Sequence, residues 1–399
     1  MQLVIGGAYQ GKKEYVKRSY QIEESRIWQG GYPVTEGKWQ CICGLHKIVK
    51  EMLDSYKTDH ICEKDINRYD YKSNDVNTDR YGDHSSTQII DQHSQRCNDY
   101  YGESKNDEYG ELCSDQSVAT GGTQQMDNYV NRITNYFHSL IKDNPDIIFI
   151  CDEVGNGIVP IEKSERDYRE CVGRVLCVLA KEADRVERVH CGIGQVIKHT
   201  VYISFIRHGS TEGNLKKQYI GVTDEPLCSA GIETLQARCK EGIYPQAARV
   251  IASPMKRCLE TAEILYPDVT PEVYPEFRET NFGLLEGKSY EELLQDDSLR
   301  PSYQEWIDSN GTLPFPEGES MEQMKKRCAE GFEKLLATLT SDAVIVAHGG
   351  TIMSILHLYA TPRKDYYDYQ CGNGAGYLCR VELTGDRRLY QMQVVRKIE

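Results

Sequence analysis

Basic and imidazole side chains follow three predicted strands in the second half of the chain. Arg207 and His208 come directly after one apolar run. Arg257 begins the helix after a second run, and His348 follows a third. Because the carboxyl ends of parallel strands meet at one edge of a sheet, where ligands bind, we expect these four side chains to lie together. Two guanidinium groups and two imidazoles at one edge predict a site for an anionic ligand.

The chemistry that suits this set of side chains is phosphoryl transfer. Planar guanidinium groups bind phosphate oxygens bidentately, so Arg207 and Arg257 are predicted to hold a phosphate. A neutral His208 could attack phosphorus through a ring nitrogen, and the neighbouring arginines would keep it unprotonated. Glu279 lies on a glycine-punctuated loop and is predicted to protonate the leaving alcohol, because a nearby phosphate raises the pKa of a carboxyl group. Glu286 is equally compatible with a site role and with an ordinary loop carboxylate.

The residues around this predicted site form an ordered series of short motifs. The series is Arg207-His208-Gly209 with Asn214, Ser253-Pro254 with Arg257, Arg278-Glu279 with Phe282-Gly283, Gly318-Glu319-Ser320, and Ala347-His348-Gly349. It resembles the histidine phosphatase superfamily, the phosphoglycerate mutase-like group, over residues 199–399. The resemblance implies that His208 is the phosphoacceptor and Glu279 the proton donor. It also implies that no cofactor is needed, and that the phosphate pocket consists of Arg207, Asn214, Arg257 and His348.

Hydrolysis and phosphate transfer within one substrate are both open to such a site. Mutases of this kind tend to carry longer loops that shield the phosphoenzyme from water, and the short path from Glu279 to Glu319 leaves little room for them. We therefore favour a phosphatase acting on a small phosphate ester. The segment Phe277–Gly283 is similar to the α-ribazole phosphatase branch, which implies α-ribazole 5′-phosphate or a related cobalamin-pathway phosphate as substrate. A broad-specificity phosphatase and a sugar-phosphate mutase are the alternatives.

A glycine loop that ends in lysine lies near the start of the chain. Gly6, Gly7, Gly11 and Lys12 follow the first predicted strand and open a helix, in the order G-x4-G-K. This is the context of a loop that holds a nucleotide phosphate at a helix N-terminus. Lys13 stands where Ser or Thr would coordinate magnesium. The motif alone is therefore equally compatible with nucleotide binding and with a structural glycine turn.

A second acidic and glycine-rich segment follows the predicted strand Ile147–Ile150. Asp152 or Glu153 could hold magnesium at the end of this strand, and Gly155 and Gly157 would let the backbone approach a ligand. Together with the glycine loop, the segment resembles the adenosylcobinamide kinase/adenosylcobinamide-phosphate guanylyltransferase family. The resemblance implies GTP or ATP with magnesium as cofactor, and a corrinoid partner.

Two departures from that family predict impaired activity of the N-terminal part. Lys13 cannot coordinate a cation, and the family's guanylylated histidine has no clear equivalent. His46, the first histidine after the loop, lies in a predicted amphipathic helix and is interpreted as a packing residue. We expect nucleotide binding with weak or lost kinase and guanylyltransferase activity. The alternative is a non-catalytic binding module attached to the phosphatase.

Apolar patterns predict α/β structure in both halves of the chain. Strand-like runs at Gln2–Ile5, Ile147–Ile150, Val186–His190 and Val201–Ile206 alternate with helical patterns at Lys12–Tyr20, Tyr129–Ile141 and Tyr168–Leu179. This alternation favours mostly parallel sheets flanked by helices. A length of 399 residues suits two domains. We predict a P-loop nucleotide-binding type at 1–198 and a phosphoglycerate mutase-like domain at 199–399.

The composition of the chain changes between residues 57 and 125. This segment holds 14 acidic and 7 basic residues but only 7 Ile, Leu or Val. Because so few aliphatic side chains cannot offset the entropy of ordering a chain, we predict a disordered insertion within the first domain. Its histidines and cysteines have no regular spacing, so no metal site is expected there.

The overall charge limits the partners of the protein. A net charge of −14 gives no general attraction to nucleic acid or to anionic membranes, and no stretch of 18 apolar residues is present. We expect a cytoplasmic protein with reduced thiols, because the 15 cysteines are odd in number and irregularly spaced. Its expected partners are small molecules: a phosphate ester, a nucleotide and a corrinoid.

Overall fold

A computed structural model of the protein describes the backbone of residues 1–69, 121–309 and 313–399, and the side chains of these ranges except 59–69 and 121–123. The first half contains β1 (Gln2–Gly6), α1 (Lys12–Tyr20), β2 (Ile27–Trp28), β3 (Cys41–Cys43), α2 (Leu45–Tyr69), α3 (Gly121–Asp143), β4 (Ile148–Asp152), α4 (Lys163–Glu182) and β5 (Arg185–His190). Its strands are parallel and lie in the order β2-β3-β4-β1-β5.

Apolar side chains determine the centre of this sheet. β1 and β4 are short apolar runs, and Leu3, Val4 and Phe149 are at most 1% exposed. Strands that are buried on both faces are typical of parallel sheets covered by helices. The apolar stripes of α2, α3 and α4 pack together over one hydrophobic core, and α1 packs in a second core with the sheet.

The strand β6 (Ile193–Arg207) connects the two halves of the fold. Its first part forms an antiparallel hairpin with β5 through Cys191 and Gly192, which both have positive φ angles, of 51° and 76°. Two such residues form the tight turn that matches the twist of a hairpin. The second part of β6 pairs with strands of the C-terminal half. The predicted domain boundary between 198 and 199 therefore lies inside a continuous strand.

The second half extends the sheet from β6. It contains α5 (Glu212–Leu215), α6 (Ser229–Lys240), β7 (Arg249–Ala252), α7 (Lys256–Leu265), β8 (Glu272–Val273), α8 (Tyr290–Gln295), α9 (Arg300–Asp308), α10 (Met321–Leu336), β9 (Ala343–Ala347), α11 (Gly349–Tyr359), β10 (Gly376–Thr384) and β11 (Leu389–Ile398). The parallel strands run in the order β8-β7-β9-β6, and β10 and β11 are antiparallel on the other edge of β6. Helices α10 and α11 pack in one core, and α6 and α7 in another.

The predicted α/β class with mostly parallel strands is confirmed, and the structure adds that the strands of both halves form one sheet of 11 strands. A buried ion pair ties the halves together beside the predicted boundary. Lys198 of β6 lies 3.2 Å from Glu382 of β10 and also donates to the carbonyl groups of Ala180 and Lys181 at the end of α4. Among the described helices, none is long and apolar enough to cross a membrane.

The structure corrects both ends of the predicted insertion. α2 continues to Tyr69 and α3 begins at Gly121, so residues 57–69 and 121–125 are helical. Lys57, at the predicted start of the insertion, pairs with Asp167 of α4 at 3.2 Å. A helix that is polar on most of its surface resembles a disordered segment in composition, which explains the error. The prediction for residues 70–120 lies outside the described part of the chain.

Candidate active site

Three neighbouring strand ends and one loop bring the predicted phosphatase residues together. Arg207 ends β6, with His208 directly after it; Arg257 lies in the first turn of α7, and His348 is the N-cap residue of α11 after β9. β6, β9 and β7 are adjacent and parallel, so their carboxyl ends meet at one edge as expected. Glu279 approaches this edge from the loop after a 3-10 turn.

The imidazole of His208 is buried and has a defined tautomer. Its Nδ1 atom lies 2.7 Å from the carbonyl oxygen of Gly209. Because a carbonyl oxygen can only accept a hydrogen bond, Nδ1 carries the proton and the neutral ring keeps a lone pair on Nε2. Burial, together with the charges of Arg257 and Arg207, holds the pKa of His208 well below its usual value. The ring is therefore neutral, and the lone pair on Nε2 is available to react.

His348 lies against His208 and is also neutral. The two imidazole centroids are 5.1 Å apart, and Nε2 of His348 is 2.8 Å from the hydroxyl oxygen of Ser253. Burial and then the charge of Arg257 hold the pKa of His348 well below its usual value. A neutral imidazole at this position can donate or accept one hydrogen bond without adding charge.

The two arginines are held by backbone carbonyl groups and keep unused donors. Arg257 is fully buried and donates to the carbonyl oxygens of Thr223 and Gly221 at 2.8 and 2.9 Å. Arg207 donates to the carbonyl of Cys371 at 2.8 Å. The Nε atoms of both arginines are buried without a hydrogen-bond partner in the described structure. Unpaired buried donors cost free energy, and a bound oxyanion would satisfy them.

Glu286 supports the loop that holds Arg257. Its carboxylate accepts hydrogen bonds from the backbone N–H groups of Gly221 and Val222 at 3.0 and 2.9 Å, and from the hydroxyl of Thr223 at 2.8 Å. The carbonyl groups of Gly221 and Thr223, in the same segment, accept the hydrogen bonds from Arg257. The structure thus gives Glu286 an anchoring position behind the arginine.

Glu279 has the environment of a proton donor. Its Oε1 atom accepts a hydrogen bond from the N–H of Thr280 at 3.0 Å. A methyl group on Gly350, in the first turn of α11, would lie only 2.6 Å from the same oxygen, so glycine leaves the space that the carboxyl group occupies. Enclosure by protein atoms raises the pKa of Glu279, although the Thr280 N–H and both site arginines oppose this shift.

A cavity of about 320 Å³ opens over these residues. Arg207, His208, Asn214 and Glu279 line it, whereas Arg257 and His348 are buried and do not appear on its wall. Six aromatic side chains form much of the remaining wall: Tyr219, Phe282, Trp306, Phe315, Tyr366 and Tyr367. Apart from Phe282, which belongs to one of the motifs, these aromatic residues carry no signal in the sequence, because their contribution depends on how α9 and the loops around it fold over the sheet edge.

The glycine loop of the first half surrounds the ammonium group of Lys12. This group donates to the carbonyl oxygens of Gly6 and Gly7 at 3.1 and 2.6 Å and lies 2.6 Å from Asp152. Gly11 has a φ of 77° and is the N-cap residue of α1. The predicted loop residues are thus placed together at the start of a helix, as nucleotide binding requires.

Neighbouring side chains engage Lys13, which replaces the expected hydroxyl residue, and Glu153, the second predicted metal ligand. Lys13 is paired with Glu24 and donates to Gln29 at 3.0 Å. Glu153 is paired with Arg188 at 3.1 Å. Across the described residues, no cluster of three or more His, Cys, Asp or Glu side chains is arranged to hold a metal ion.

His46 lies beside Asp152, the residue that is paired with Lys12. Its Nδ1 atom accepts a hydrogen bond from the N–H of Asp152 at 3.2 Å, and its Nε2 atom is 3.7 Å from the carboxylate of the same residue. Nε2 therefore carries the proton in the neutral ring. Burial lowers the pKa of His46, although the carboxylate of Asp152 opposes this effect.

Two protein families match the chain, one in each half. The family described as histidine phosphatase superfamily (branch 1) matches residues 203–394. The family described as cobinamide kinase / cobinamide phosphate guanyltransferase matches residues 74–197, a span that excludes the glycine loop and begins outside the described residues.

Individual relatives match the second half. A "Probable phosphoglycerate mutase GpmB" of Serratia proteamaculans is 33% identical over 158 residues, which cover 37% of this chain and 69% of that protein. An "Adenosylcobalamin/alpha-ribazole phosphatase" of Salmonella typhimurium is 27% identical over 177 residues, with 42% and 85% covered.

Solved structures include an alpha-ribazole phosphatase from Shigella flexneri, with a TM-score of 0.42, 20% identity, and coverage of 50% of this chain and 96% of that one. The order of motifs and the two family matches agree with one another. The chain belongs to the histidine phosphatase superfamily through its C-terminal half, and its N-terminal half carries a domain of the cobinamide kinase / cobinamide phosphate guanyltransferase family.

Proposed function

We propose that the C-terminal half is a phosphomonoesterase that works through a phosphohistidine at His208. The observation that carries this proposal is the unprotonated Nε2 atom of a buried, neutral imidazole at an edge with two partly unsatisfied arginines. Nε2 attacks phosphorus, and the bond from phosphorus to the ester oxygen breaks. Glu279 gives its proton to that oxygen, so the alcohol leaves in neutral form.

The second step returns the site to its starting state. Water attacks the phosphorus of the phosphohistidine and loses a proton to the Glu279 carboxylate, and the P–N bond breaks. Inorganic phosphate leaves, His208 regains its lone pair and Glu279 its proton. Arg207, Arg257 and Asn214 are the proposed donors to the phosphoryl oxygens in both steps, and His348 adds a neutral hydrogen bond.

The wall of the cavity supports a substrate whose leaving alcohol is uncharged and carries an aromatic group. Arg207 is its one basic residue among the described lining residues, while six lining residues are aromatic. The carboxylate of a phosphoglycerate would find no second cation on this wall, whereas a planar base could stack on it. We therefore propose α-ribazole 5′-phosphate or a related cobalamin-pathway phosphate as the substrate, in agreement with the name of the Salmonella relative.

A phosphate-release screen tests this assignment. It would compare α-ribazole 5′-phosphate, cobalamin 5′-phosphate, p-nitrophenyl phosphate and 3-phosphoglycerate at equal concentrations. We expect the highest kcat/KM with the phosphates of the cobalamin pathway. Similar values for all four esters would indicate a broad-specificity phosphatase, and conversion of 3-phosphoglycerate into 2-phosphoglycerate without phosphate release would indicate a mutase.

For the N-terminal half we propose binding of GTP or ATP at the glycine loop, as part of a domain bounded at about residue 198. The position of Lys12 at the start of α1 supports this proposal. Magnesium, which the family implies, fits poorly, because Asp152 is paired with Lys12, Glu153 is paired with Arg188, and Lys13 replaces a hydroxyl group. No transfer step is therefore assigned to this loop. We also propose that this half binds a corrinoid, but no residue is assigned to that site.

A further inference from the structure

The loop before β10 wraps around the backbone of the nucleophile. The carbonyl of Cys371 accepts a hydrogen bond from the Arg207 guanidinium at 2.8 Å. The N–H of Gly374 donates to the carbonyl oxygens of Arg207 and His208 at 3.0 and 3.1 Å. The loop is thus attached on both sides of Asn373, whose side chain is held beside His208.

Backbone groups fix the orientation of the Asn373 amide. Its Nδ2 atom lies 3.1 Å from the carbonyl oxygen of His208 and 3.4 Å from that of Gly209. Both partners can only accept hydrogen bonds, so the atom that faces them must be the nitrogen. The same Nδ2 atom donates to Oδ1 of Asn214 at 2.9 Å.

The amide of Asn214 is oriented in turn. Its Oδ1 atom accepts the hydrogen bond from Asn373 and a second one, of 3.3 Å, from the N–H of Thr211. Since both partners are donors, Oδ1 must lie on this side of the amide and Nδ2 on the other. Asn214 lines the cavity above His208, and no described residue accepts a hydrogen bond from its Nδ2 atom.

We propose that Asn373 is a positioning residue of the phosphate site, which orients Asn214 so that Nδ2 donates to a phosphoryl oxygen. The inference rests on the proposed phosphatase function. Without Asn373 the amide of Asn214 has one weak partner left and can turn over, which would present Oδ1 to the phosphate. An oxygen facing an anion repels it, so the orientation of this amide affects phosphate affinity directly.

A double-mutant cycle on the full-length protein tests the coupling. The readout is the dissociation constant of inorganic phosphate from calorimetry, which needs no turnover. We expect Asn373→Ala and Asn214→Ala each to weaken phosphate binding by about 10- to 100-fold, as for one hydrogen bond to a charged group. In the Asn214→Ala background, Asn373→Ala should cause less than about a twofold further change, because no Asn214 amide is left to orient; about twofold is the margin within which effects at independent sites add.

The matched control is Gly372→Ala in the same loop, where an added methyl group meets no atom within 4 Å. It should bind phosphate like the wild type. Equal losses from Asn373→Ala in both backgrounds would overturn the inference and leave the phosphatase proposal standing. Absence of phosphate binding by the wild-type protein would overturn both.

A second variant separates positioning from general loosening of the loop. In the Asn373→Asp variant, the ionised carboxylate faces the three oxygens that accept hydrogen bonds from Nδ2 in the wild type. This variant should therefore bind phosphate more weakly than the Asn373→Ala variant. When protonated, it regains one donor, so the ratio of its phosphate affinity to that of Asn373→Ala should rise as pH falls. A ratio that does not change with pH would contradict the inference.

Discussion

At the residue scale, the proton on Nδ1 of His208 decides what this imidazole can do. The carbonyl of Gly209 takes the Nδ1–H, so the reactive lone pair is on Nε2. The low pKa keeps that lone pair free at physiological pH. The backbone of the chain therefore sets the tautomer of the proposed nucleophile without any substrate, and this arrangement has consequences that mutation and pH can test.

Replacement of His208 by alanine removes the proposed phosphoacceptor. We expect His208→Ala to lose phosphatase turnover and to lose acid-labile, base-stable labelling by a phosphate donor, since a covalent route cannot proceed without its nucleophile. Labelling is measured on the denatured protein after a brief incubation. The control is His190→Ala, which replaces an exposed histidine at the end of β5. Labelling that persists in His208→Ala would place the nucleophile elsewhere.

The raised pKa of Glu279 predicts the alkaline side of the pH profile. A general acid acts when protonated, so kcat/KM should be highest below the raised pKa of Glu279 and fall as pH rises through it. The lowered pKa of His208 has the opposite consequence: activity is present above it and is lost only in more acidic solution. The profile should thus be a plateau that lies above the lowered pKa of His208 and below the raised pKa of Glu279.

Glu279→Gln tests this assignment, because the amide cannot supply a proton. We expect kcat/KM for an alkyl phosphate, which reports the step in which the alcohol leaves, to fall by about 10²- to 10⁴-fold, and the alkaline limb to disappear. The kcat/KM for p-nitrophenyl phosphate should fall much less, because its leaving group needs little protonation. Equal losses for both esters would contradict the role of Glu279 as acid.

At the element scale, short apolar runs predicted the structure well where helices cover both faces. The strand predictions at Gln2–Ile5 and Ile147–Ile150 and the helix prediction at Lys12–Tyr20 are confirmed within a residue or two. Such segments carry their own signal because burial on both faces requires continuous apolar sequence. The polar outer turns of α2 and α3 lack that signal, and their composition therefore predicts part of the insertion instead of a helix.

The hairpin from β5 to β6 shows what local pattern does not reveal. Cys191 and Gly192 form a turn of only two residues, and the sequence has no longer run of turn-forming residues that would predict it. The continuation of β6 past residue 198 depends on partners from both halves, which are distant in sequence. For the site, motifs located the strand-end residues, whereas Asn373 and the aromatic wall depend on tertiary packing.

The ion pair between Lys198 and Glu382 should contribute to the stability of the junction. Lys198→Met leaves Glu382 buried with Arg380 as its remaining cationic partner, and we expect a loss of about 3 kcal/mol in the free energy of unfolding. Urea unfolding followed by circular dichroism measures the change. The double variant Lys198→Met/Glu382→Leu should recover much of the loss, because it removes both buried charges and Arg380 keeps Asp184 as a partner at 3.7 Å. The control is Lys181→Met, which changes an exposed lysine.

No change in the unfolding midpoint of Lys198→Met would show that the pair contributes little. Failure of the double variant to recover stability would indicate that the hydrogen bonds from Lys198 to the end of α4 matter more than the charge pair.

At the scale of the whole molecule, the two proposed sites lie at opposite ends of β6. Its first residue follows the turn at Gly192, whose N–H donates to the carbonyl of Gln10 in the glycine loop at 2.8 Å. Its last residue, Arg207, adjoins the nucleophile. At a rise of about 3.3 Å per residue, the ends of β6 are about 46 Å apart. The sites should therefore respond independently to mutation.

Lys12→Ala tests both the nucleotide site and this independence. We expect it to weaken GTP or GDP binding by about 100-fold, because a cation that contacts the phosphates is lost, and to leave phosphatase kcat/KM unchanged. Lys13→Ala is the matched control and should retain binding, because Lys13 faces Glu24 and Gln29. Calorimetry with GTP and a phosphate-release assay give the two readouts.

Two results would contradict these expectations. Absence of nucleotide binding by the wild-type protein would reduce the glycine loop to a structural turn. Robust magnesium-dependent phosphorylation of adenosylcobinamide would show that the carboxylates near Lys12 exchange their partners to hold a metal, and the proposed impairment would be wrong.

The course of β6 also bears on why two such sites would share a polypeptide. Because the two proposed sites lie at opposite ends of β6, a compound released at one site would have to diffuse through the solvent to reach the other. Each site therefore takes its substrate from the surrounding solution. A single chain nevertheless ensures that both sites are synthesised in equal numbers at the same moment. The fusion would therefore fix the ratio of the two proposed sites at one to one, without passing any compound directly from one site to the other.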